Sequence, residues 1–537
     1  MRLPFVLAAV VSAAILAAWA WLGAPVPAPP SPLASGEKLP CVSYAPFRPG
    51  QSPFMAGLVI PPEQIDDDFA RLAKITHCVR TYSTEMGLDA APALARKHGL
   101  TMLQGIWLGR EKDKNQVEIT NGIKAAQQNP DVVKGLIVGN EVLLRGELSA
   151  TDLAQTIRAV KQSAGVPVTY ADVWEFWERN RDLANSVDFV TVHILPFWED
   201  LPVSADKAVA HIGEIRDHVG KVFAGHDILI GETGWPSAGR MREGAEPSPS
   251  NQAKVIQELL ALAKEKNYRV NVIEAFDQPW KRALEGTVGG HWGFLDAYSR
   301  DFKFGWGEAV SDHPGWLWQG LGGVAFALAI FAAGLKGAAR RGAELSAGRW
   351  LGIAAVALAS GIAIGWAIAA VPVESRDAGG WVRAVVMIAL GLVAPPLTAY
   401  ALAAGTRQVG FATVLEPETR RAATGLEKLV GVVLVLAAVL AVQIAFGLVF
   451  DPRYRDFQFA GLTPILTALA AYALLAAPRP AAGERHAEAI AAGVFLLSGL
   501  FIILNERLSN WQALWTGALL VLFALSFWRL ATAGRTR

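Results

Sequence analysis

The chain has 537 residues, of which 52% are hydrophobic, and 49 Lys and Arg stand against 48 Asp and Glu for a formal net charge of +1. That length is too great for one ordinary domain, and the balanced charge, with no basic stripe interleaved with aromatics, excludes nucleic acid as a partner. The average hides a division: residues 37–312 have the charged, mixed composition of a soluble domain, whereas both flanks are dominated by Ala, Leu, Val, Ile and Gly.

The first predicted element is the apolar run PFVLAAVVSAAILAAWAWLG (4–23), with Arg2 in front of it. About 20 apolar residues are what a bilayer core demands. No small-residue cleavage site closes the run, so residues 1–24 are expected to be a retained transmembrane anchor. The Pro-rich stretch 25–36 then reads as a semi-rigid linker.

Residues 37–312 alternate short β-rich runs with helical patterns. The predicted strands are CVSYA (41–45), HCVRTY (77–82), TMLQGIW (101–107), GLIVGN (135–140), PVTYAD (167–172), DFVTVHI (188–194), DILIGE (227–232) and RVNVIEAF (269–276). SATDLAQTIRAVKQSAG, between the fourth and fifth, has Ser149 or Thr151 as N-cap and ends at Gly165. Eight strands alternating with helices over about 240 residues predict an α/β fold, the (β/α)8 or TIM barrel. The two cysteines, Cys41 and Cys78, each begin one of two adjacent strands. Two buried free thiols are at least as well supported as a bridge, because spacing alone does not supply the geometry a bridge needs.

In such a barrel the functional groups collect at the C-terminal ends of the strands. Those ends carry Tyr44, Arg80 with Tyr82, Trp107, Asn140 with Glu141, Asp172 with Trp174, His193 with Trp198, Glu232 with Trp235, and Glu274, Asp277, Trp280 and Lys281. Aromatic faces stack on sugar rings, while carboxylates and amides bond hydroxyls, so this rim suits a carbohydrate. No Gly-rich phosphate loop follows the first strand and the histidines lack metal-ligand spacing, so neither a cofactor nor a metal is expected. Trp198, Trp235 and Trp280 are expected as sugar platforms, and Arg80 and His193 either as substrate contacts or as partners of the carboxylates. Glycosidic-bond cleavage needs two carboxyl groups, one to protonate the leaving oxygen and one to attack the anomeric carbon or activate water. Glu141 and Glu232, at the ends of the fourth and seventh strands, face each other across the barrel mouth. Asn140 beside the first is placed to hold a sugar 2-hydroxyl.

VGNEVLLR (138–145), IGETGWPS (230–237) and EAFDQPWK (274–281) resemble glycoside hydrolase family 17, the β-1,3-glucanase and glucanosyltransferase family, and VRTYST (79–84) resembles its fungal-type members. The resemblance covers about residues 37–305. It implies a retaining mechanism with Glu232 as nucleophile and Glu141 as acid/base, and it matches Lys281 and Glu285 to further charged positions of the site. Gln278 departs from the Glu of plant-type members.

After Gly315 come seven further apolar stretches, at 316–335, 350–373, 381–404, 427–450, 459–477, 488–504 and 512–530, so residues 313–537 are expected to be an all-α polytopic membrane domain. Lys336, Arg340, Arg341, Arg349, Arg407, Arg420, Arg421, Lys428, Arg479, Arg485 and the tail with Arg529, Arg535 and Arg537 all fall on one side if there are eight spans. By the positive-inside rule that side is cytoplasmic, which puts both termini inside and residues 37–312 outside. The chain is thus expected in a bacterial inner membrane with a periplasmic barrel. It is similar to membrane-bound family members of rhizobia and related bacteria linked to β-(1,3)/(1,6)-glucan synthesis, which implies glucan and the lipid bilayer as partners, and a separate glucan synthase as a third. The expected activity is cleavage of β-1,3-glucan with transfer to a glucan acceptor. Transfer to water, or a non-catalytic glucan-binding export scaffold, are the alternatives.

Overall fold

The computed structural model describes residues 2–479 and 485–532; Arg535 and Arg537 of the basic tail lie outside the described residues. The chain forms two compact units. One comprises Val26–Ala238 and Gly244–Val310, the other Met1–Pro25, Gly239–Glu243 and Ser311–Arg537.

Helix α1 (Arg2–Leu22) opens the chain and belongs to the second unit. The first unit is the expected barrel. Its strands and helices follow as β1 (Val42–Ser43), α2 (Pro62–Leu72), β2 (Cys78–Arg80), α3 (Ala91–Lys97), β3 (Thr101–Ile106), α4 (Lys112–Gln128), β4 (Val133–Asn140), α5 (Ala150–Ala164), β5 (Val168–Val173), α6 (Trp174–Arg179), β6 (Val190–His193), α7 (Ala205–Val222), β7 (Ile228–Thr233), α8 (Pro249–Lys266), β8 (Arg269–Val272) and α9 (Arg282–Gly289). All eight strands are parallel and closed in sequence order; Val42 pairs with both Val79 and Val272 to seal the ring. The expected cap is present: the Ser149 hydroxyl accepts from Asp152 N at 3.1 Å, and α5 stops at Gly165, whose φ of 70° is the left-handed C-cap that glycine tolerates.

Strand residues alternate between the helix-facing core and the barrel interior. Val42, Val79, Met102, Leu136, Val168, Val190, Ile228 and Val272 pack under the helices. Leu103, Ile137, Ala171, Phe189 and Leu229 form a separate cluster with the two cysteines. Register places Cys41 beside Cys78, and the two are joined in a disulfide with a Cα–Cα distance of 4.3 Å, not left as free thiols.

The second unit continues with α10 (Trp316–Arg341), α11 (Ala347–Glu374), α12 (Ala378–Ala403), the short α13 (Ala412–Leu415) and α14 (Pro417–Ala422), then α15 (Gly425–Phe450), α16 (Phe459–Leu475), α17 (His486–Glu506) and α18 (Trp511–Thr532). Small residues let these helices approach closely, as membrane packing requires: a Cβ on Gly323 would sit 2.1 Å from the Gly361 carbonyl oxygen. Seven of the described helices are long and apolar enough to cross a membrane. The stretch 459–477, expected as a further full span, is a helix of only 17 residues, about 25 Å long at the usual rise. It lies almost wholly buried, packed on α11, α12 and α18.

Candidate active site

Strands β4 and β7 deliver the two glutamates. Glu141 follows β4 in the left-handed region, with φ 53°, and its N–H donates to the Ala171 carbonyl at 2.8 Å. Glu232 sits within β7 and is 5% exposed. The turn after it explains the GETGWPS string: a Cβ on Gly234 would lie 2.3 Å from the Ile273 carbonyl oxygen, so only glycine lets this backbone close on β8.

His193, at the end of β6, stands between the carboxylates. Its Nδ1 lies 2.9 Å from Glu141 Oε1 and its Nε2 lies 3.6 Å from Glu232 Oε1. One donor atom each from Glu141, His193 and Glu232 fall within 4.8 Å of one another. This trio is the arrangement among the described residues closest to a metal-ligand set. The same Glu232 oxygen, however, already accepts from Arg80 and Tyr82.

Arg80, from β2, is 1% exposed and donates to Glu232 Oε1 at 3.0 Å, to the Gly231 carbonyl at 2.7 Å and to the Asn140 side-chain oxygen. The Tyr82 hydroxyl donates to Glu232 Oε1 at 2.9 Å. Burial works to raise the Glu232 carboxyl, but His193, Arg80, Lys281 and Tyr82 outweigh it and hold it below the usual carboxylate range. Under this layer, Lys281 Nζ bonds both Glu274 oxygens at 3.0 Å. Glu274 is pushed up to about 7 by burial, partly offset by Lys281. Glu285 is likewise pushed up to about 7 by burial, opposed by Lys281 and reinforced by Glu274.

Of the residues predicted for the site, the structure gathers Glu141, Glu232, Asn140, Arg80, Tyr82 and His193 around one point, with Lys281 and Glu285 adjoining it electrostatically. Trp174, Trp198 and Trp280 are half-buried. Trp174 Nε1 donates to Glu199 at 3.2 Å, Trp198 stacks beside Trp292, and the edges of Phe47 and Phe54 meet Trp280.

One expectation changes, that for Trp235, and three further predicted residues are buried with partners of their own. Trp235 is fully buried against Phe197, with Nε1 donating to the Glu246 carbonyl at 2.9 Å, so it has no face for a sugar. The Tyr44 hydroxyl is spent on buried Asp68 at 2.9 Å. Asp172 is fully buried and accepts from the Tyr170 hydroxyl, Val173 N and Leu144 N, tying β5 to the loop behind Glu141; burial pushes it up to about 6. Asp277 is paired with Lys303 at 2.8 Å. Two residues escaped the sequence reading: Lys303, and the buried Glu118 of α4. The signal for the second was a charge on the helix stripe 118/122/126 that otherwise carries only Gly and Ala.

A closed parallel barrel whose fourth and seventh strands hold two glutamates within reach of one bond is the arrangement that glycosidic-bond cleavage requires. Residues 41–293 match the family described as the BtgE/BtgC glycoside hydrolase domain. The chain is 32% identical over 232 residues to the probable β-glucosidase btgE of Neosartorya fischeri, covering 42% of this chain and 41% of that one. It is 28% identical over 230 residues to the glucan 1,3-β-glucosidase of Schizosaccharomyces pombe, covering 40% of this chain and 72% of that one. Among solved structures it is similar to the family 17 β-1,3-glucanosyltransferase from Rhizomucor miehei, with a TM-score of 0.44 and 28% identity, over 50% of this chain and 96% of that one. The chain spans about two fifths of the length of the btgE relatives it matches.

Proposed function

We propose that this chain is a retaining, β-1,3-glucan-active transglycosylase. The observation that carries the reading is the approach of the Glu141 and Glu232 carboxylates to within 4.8 Å. Inverting enzymes keep theirs about 6.5–9.5 Å apart to admit a water, whereas retaining pairs stand at about 5–5.5 Å. Ionised Glu232 attacks the anomeric carbon while Glu141 gives its proton to the departing glycosidic oxygen, leaving a glucosyl ester on Glu232. Glu141, now a carboxylate, takes a proton from the acceptor hydroxyl, whose oxygen displaces Glu232. With its side-chain oxygen held by Arg80, Asn140 offers a sugar hydroxyl its amide NH2. The substrate class is supported by the family 17 motifs and by the Schizosaccharomyces pombe relative, which is named for a glucan with β-1,3 links.

The membrane helices favour glucan assembly over digestion, since α1 alone would suffice as a tether. In this reading the barrel faces outward from a bacterial inner membrane, where glucan from a separate synthase reaches it. An impermeant maleimide should then label Tyr298→Cys but not Glu344→Cys in intact cells, and the reverse pattern would overturn the orientation. The catalytic test is to incubate the full-length chain in detergent with a β-1,3-gluco-oligosaccharide and follow product lengths. Products longer than the substrate establish transfer. Only shorter ones make it an endo-1,3-β-glucanase, and binding without change makes it an export scaffold.

A further inference from the structure

Helix α4 turns Glu118, Gly122 and Ala126 toward the barrel, and Glu118 is 3% exposed. A carboxylate survives such burial only where donors match its oxygens. Glu118 accepts from the Ser83 hydroxyl, from Thr84 N and Thr84 Oγ1, both at 2.9 Å, and from Trp107 N at 3.2 Å. All four donors lie on two loops, those that leave β2 and β3. The first begins at Tyr82, whose hydroxyl meets the Glu232 carboxylate at 2.9 Å. The second carries Trp107, which is 40% exposed and lies under the Arg145 guanidinium at 4.3 Å; Arg145 in turn donates to the Asn140 carbonyl. Gln104 Nε2 adds a bond to the Ser83 carbonyl at 3.1 Å, and Gly105 packs directly on the Tyr82 backbone.

We propose that Glu118 is a positioning residue of the active site: it staples the β2 and β3 loops together, holding Tyr82 against the nucleophile and Trp107 on the sugar-facing rim. It touches no substrate and acts only through those two side chains. This rests on reading Glu232 as the nucleophile. Glu118 Oε2 takes the contacts from Thr84 and Trp107, whereas Oε1 meets only the Ser83 hydroxyl, which can also accept, so a glutamine with its carbonyl at Oε2 and its NH2 toward Ser83 can replace it. Cutting the staple releases the Tyr82 hydroxyl from Glu232, and a carboxylate that loses a donor gains proton affinity.

The experiment compares Glu118→Ala, Glu118→Gln, Tyr82→Phe and the Tyr82→Phe/Glu118→Ala double variant in the full-length chain. The acidic limb of kcat/KM should move up by roughly 1 pH unit in Glu118→Ala, the size expected for one lost charge-assisted hydrogen bond. Tyr82→Phe should move it equally, the double variant no further, and Glu118→Gln should stay near the parent. An unmoved limb in Glu118→Ala, or shifts that add in the double variant, would overturn the proposal. Amide exchange over residues 81–86 and 105–109 gives a readout that needs no substrate. It should quicken in Glu118→Ala and not in Glu118→Gln, and unchanged exchange rejects the staple. Failure of the parent chain to act on β-1,3-glucan would sink the proposed function and leave the exchange result to decide this one. Where Glu118→Ala does not fold, Thr84→Val removes the Oγ1 donor to Glu118 while keeping the backbone N–H, and should shift both readouts the same way by less.

Discussion

Arg80→Met should move the active pH range of the enzyme. The change keeps the side-chain stem but removes a buried guanidinium 3.0 Å from Glu232 Oε1, together with its bonds to the Gly231 carbonyl and the Asn140 side chain. Two unit charges about 4 Å apart interact by roughly 4 kcal/mol at an effective dielectric near 20, which at about 1.4 kcal/mol per unit corresponds to at most ~3 pK units. His193, Lys281 and Tyr82 continue to favour the carboxylate, so the expected shift is about 1–2 units. Glu232 is depressed in the folded protein, and the stabilisation its ionised form contributes is present above the unfolded carboxyl pKa and lost as pH falls through the lower folded value. Raising that folded value moves the acidic limb of kcat/KM to higher pH. Near neutrality the remaining loss reflects misplaced Asn140 and Glu232, about 2–3 kcal/mol or roughly 30- to 150-fold. The assay is kcat/KM on a β-1,3-gluco-oligosaccharide from pH 4 to 9. An acidic limb that stays where it was, whatever happens to the rate, refutes the assignment of Arg80 as the cation that keeps the nucleophile ionised.

Glu141→Ala should lose nearly all turnover of oligosaccharide yet still form the glycosyl-enzyme from a glucosyl fluoride, whose leaving group needs no proton, whereas Glu232→Ala should do neither; mass spectrometry of the trapped ester separates them. The Cys41→Ser/Cys78→Ser variant opens a loop closed across 37 residues, so it should lose about 3–4 kcal/mol of barrel stability; a melting temperature unchanged from the parent would rule out the bridge. Trp235→Ala, by emptying a fully buried site, should cost about 3–5 kcal/mol while the folded fraction keeps its KM. Trp107→Ala should do the opposite, raising KM about tenfold for a lost stacking face of roughly 1–1.5 kcal/mol with little change in melting; equal KM effects from the two would contradict the division between frame and platform.

The barrel was legible because parallel strands and amphipathic helices each repeat a local pattern, and the meeting of the two carboxylates because Asn140-Glu141 and Gly231-Glu232 fall on the fourth and seventh repeats. What escaped depends on contacts between distant segments. Trp235 follows a strand end just as Trp198 and Trp280 do, but it is buried in a cluster with Phe197, Ala245, Val255, Ile273 and Trp292 that distant segments bring together. The cysteines sit at equivalent strand positions, but their pairing needed the register of β1 on β2. Glu118 finds its donors 34 and 11 residues away, a distance no helical period reveals. At 459–477 hydropathy gives the apolar stretch but not its end, and the helix stops at Leu475.

In the proposed mechanism the two glutamates take different tasks, and what surrounds them fits that division. Glu232 has a side chain only 7% exposed and is flanked by Arg80, His193 and the Tyr82 hydroxyl, so its charge is held while little of it meets water. That suits a group that must remain ionised until it attacks carbon. Glu141 keeps 23% of its side chain exposed, and His193 Nδ1 lies 2.9 Å from its Oε1. An acid/base must surrender a proton in one step and accept one in the next, so it needs access to the acceptor and to solvent. His193 touches both groups and is itself fully buried, which makes the two carboxylates one electrostatic unit: the charge that leaves Glu232 on forming the ester is felt through the same imidazole that orients Glu141. Exchanging the two environments, for instance by moving the arginine toward Glu141, should therefore abolish activity even though both carboxylates remain in place.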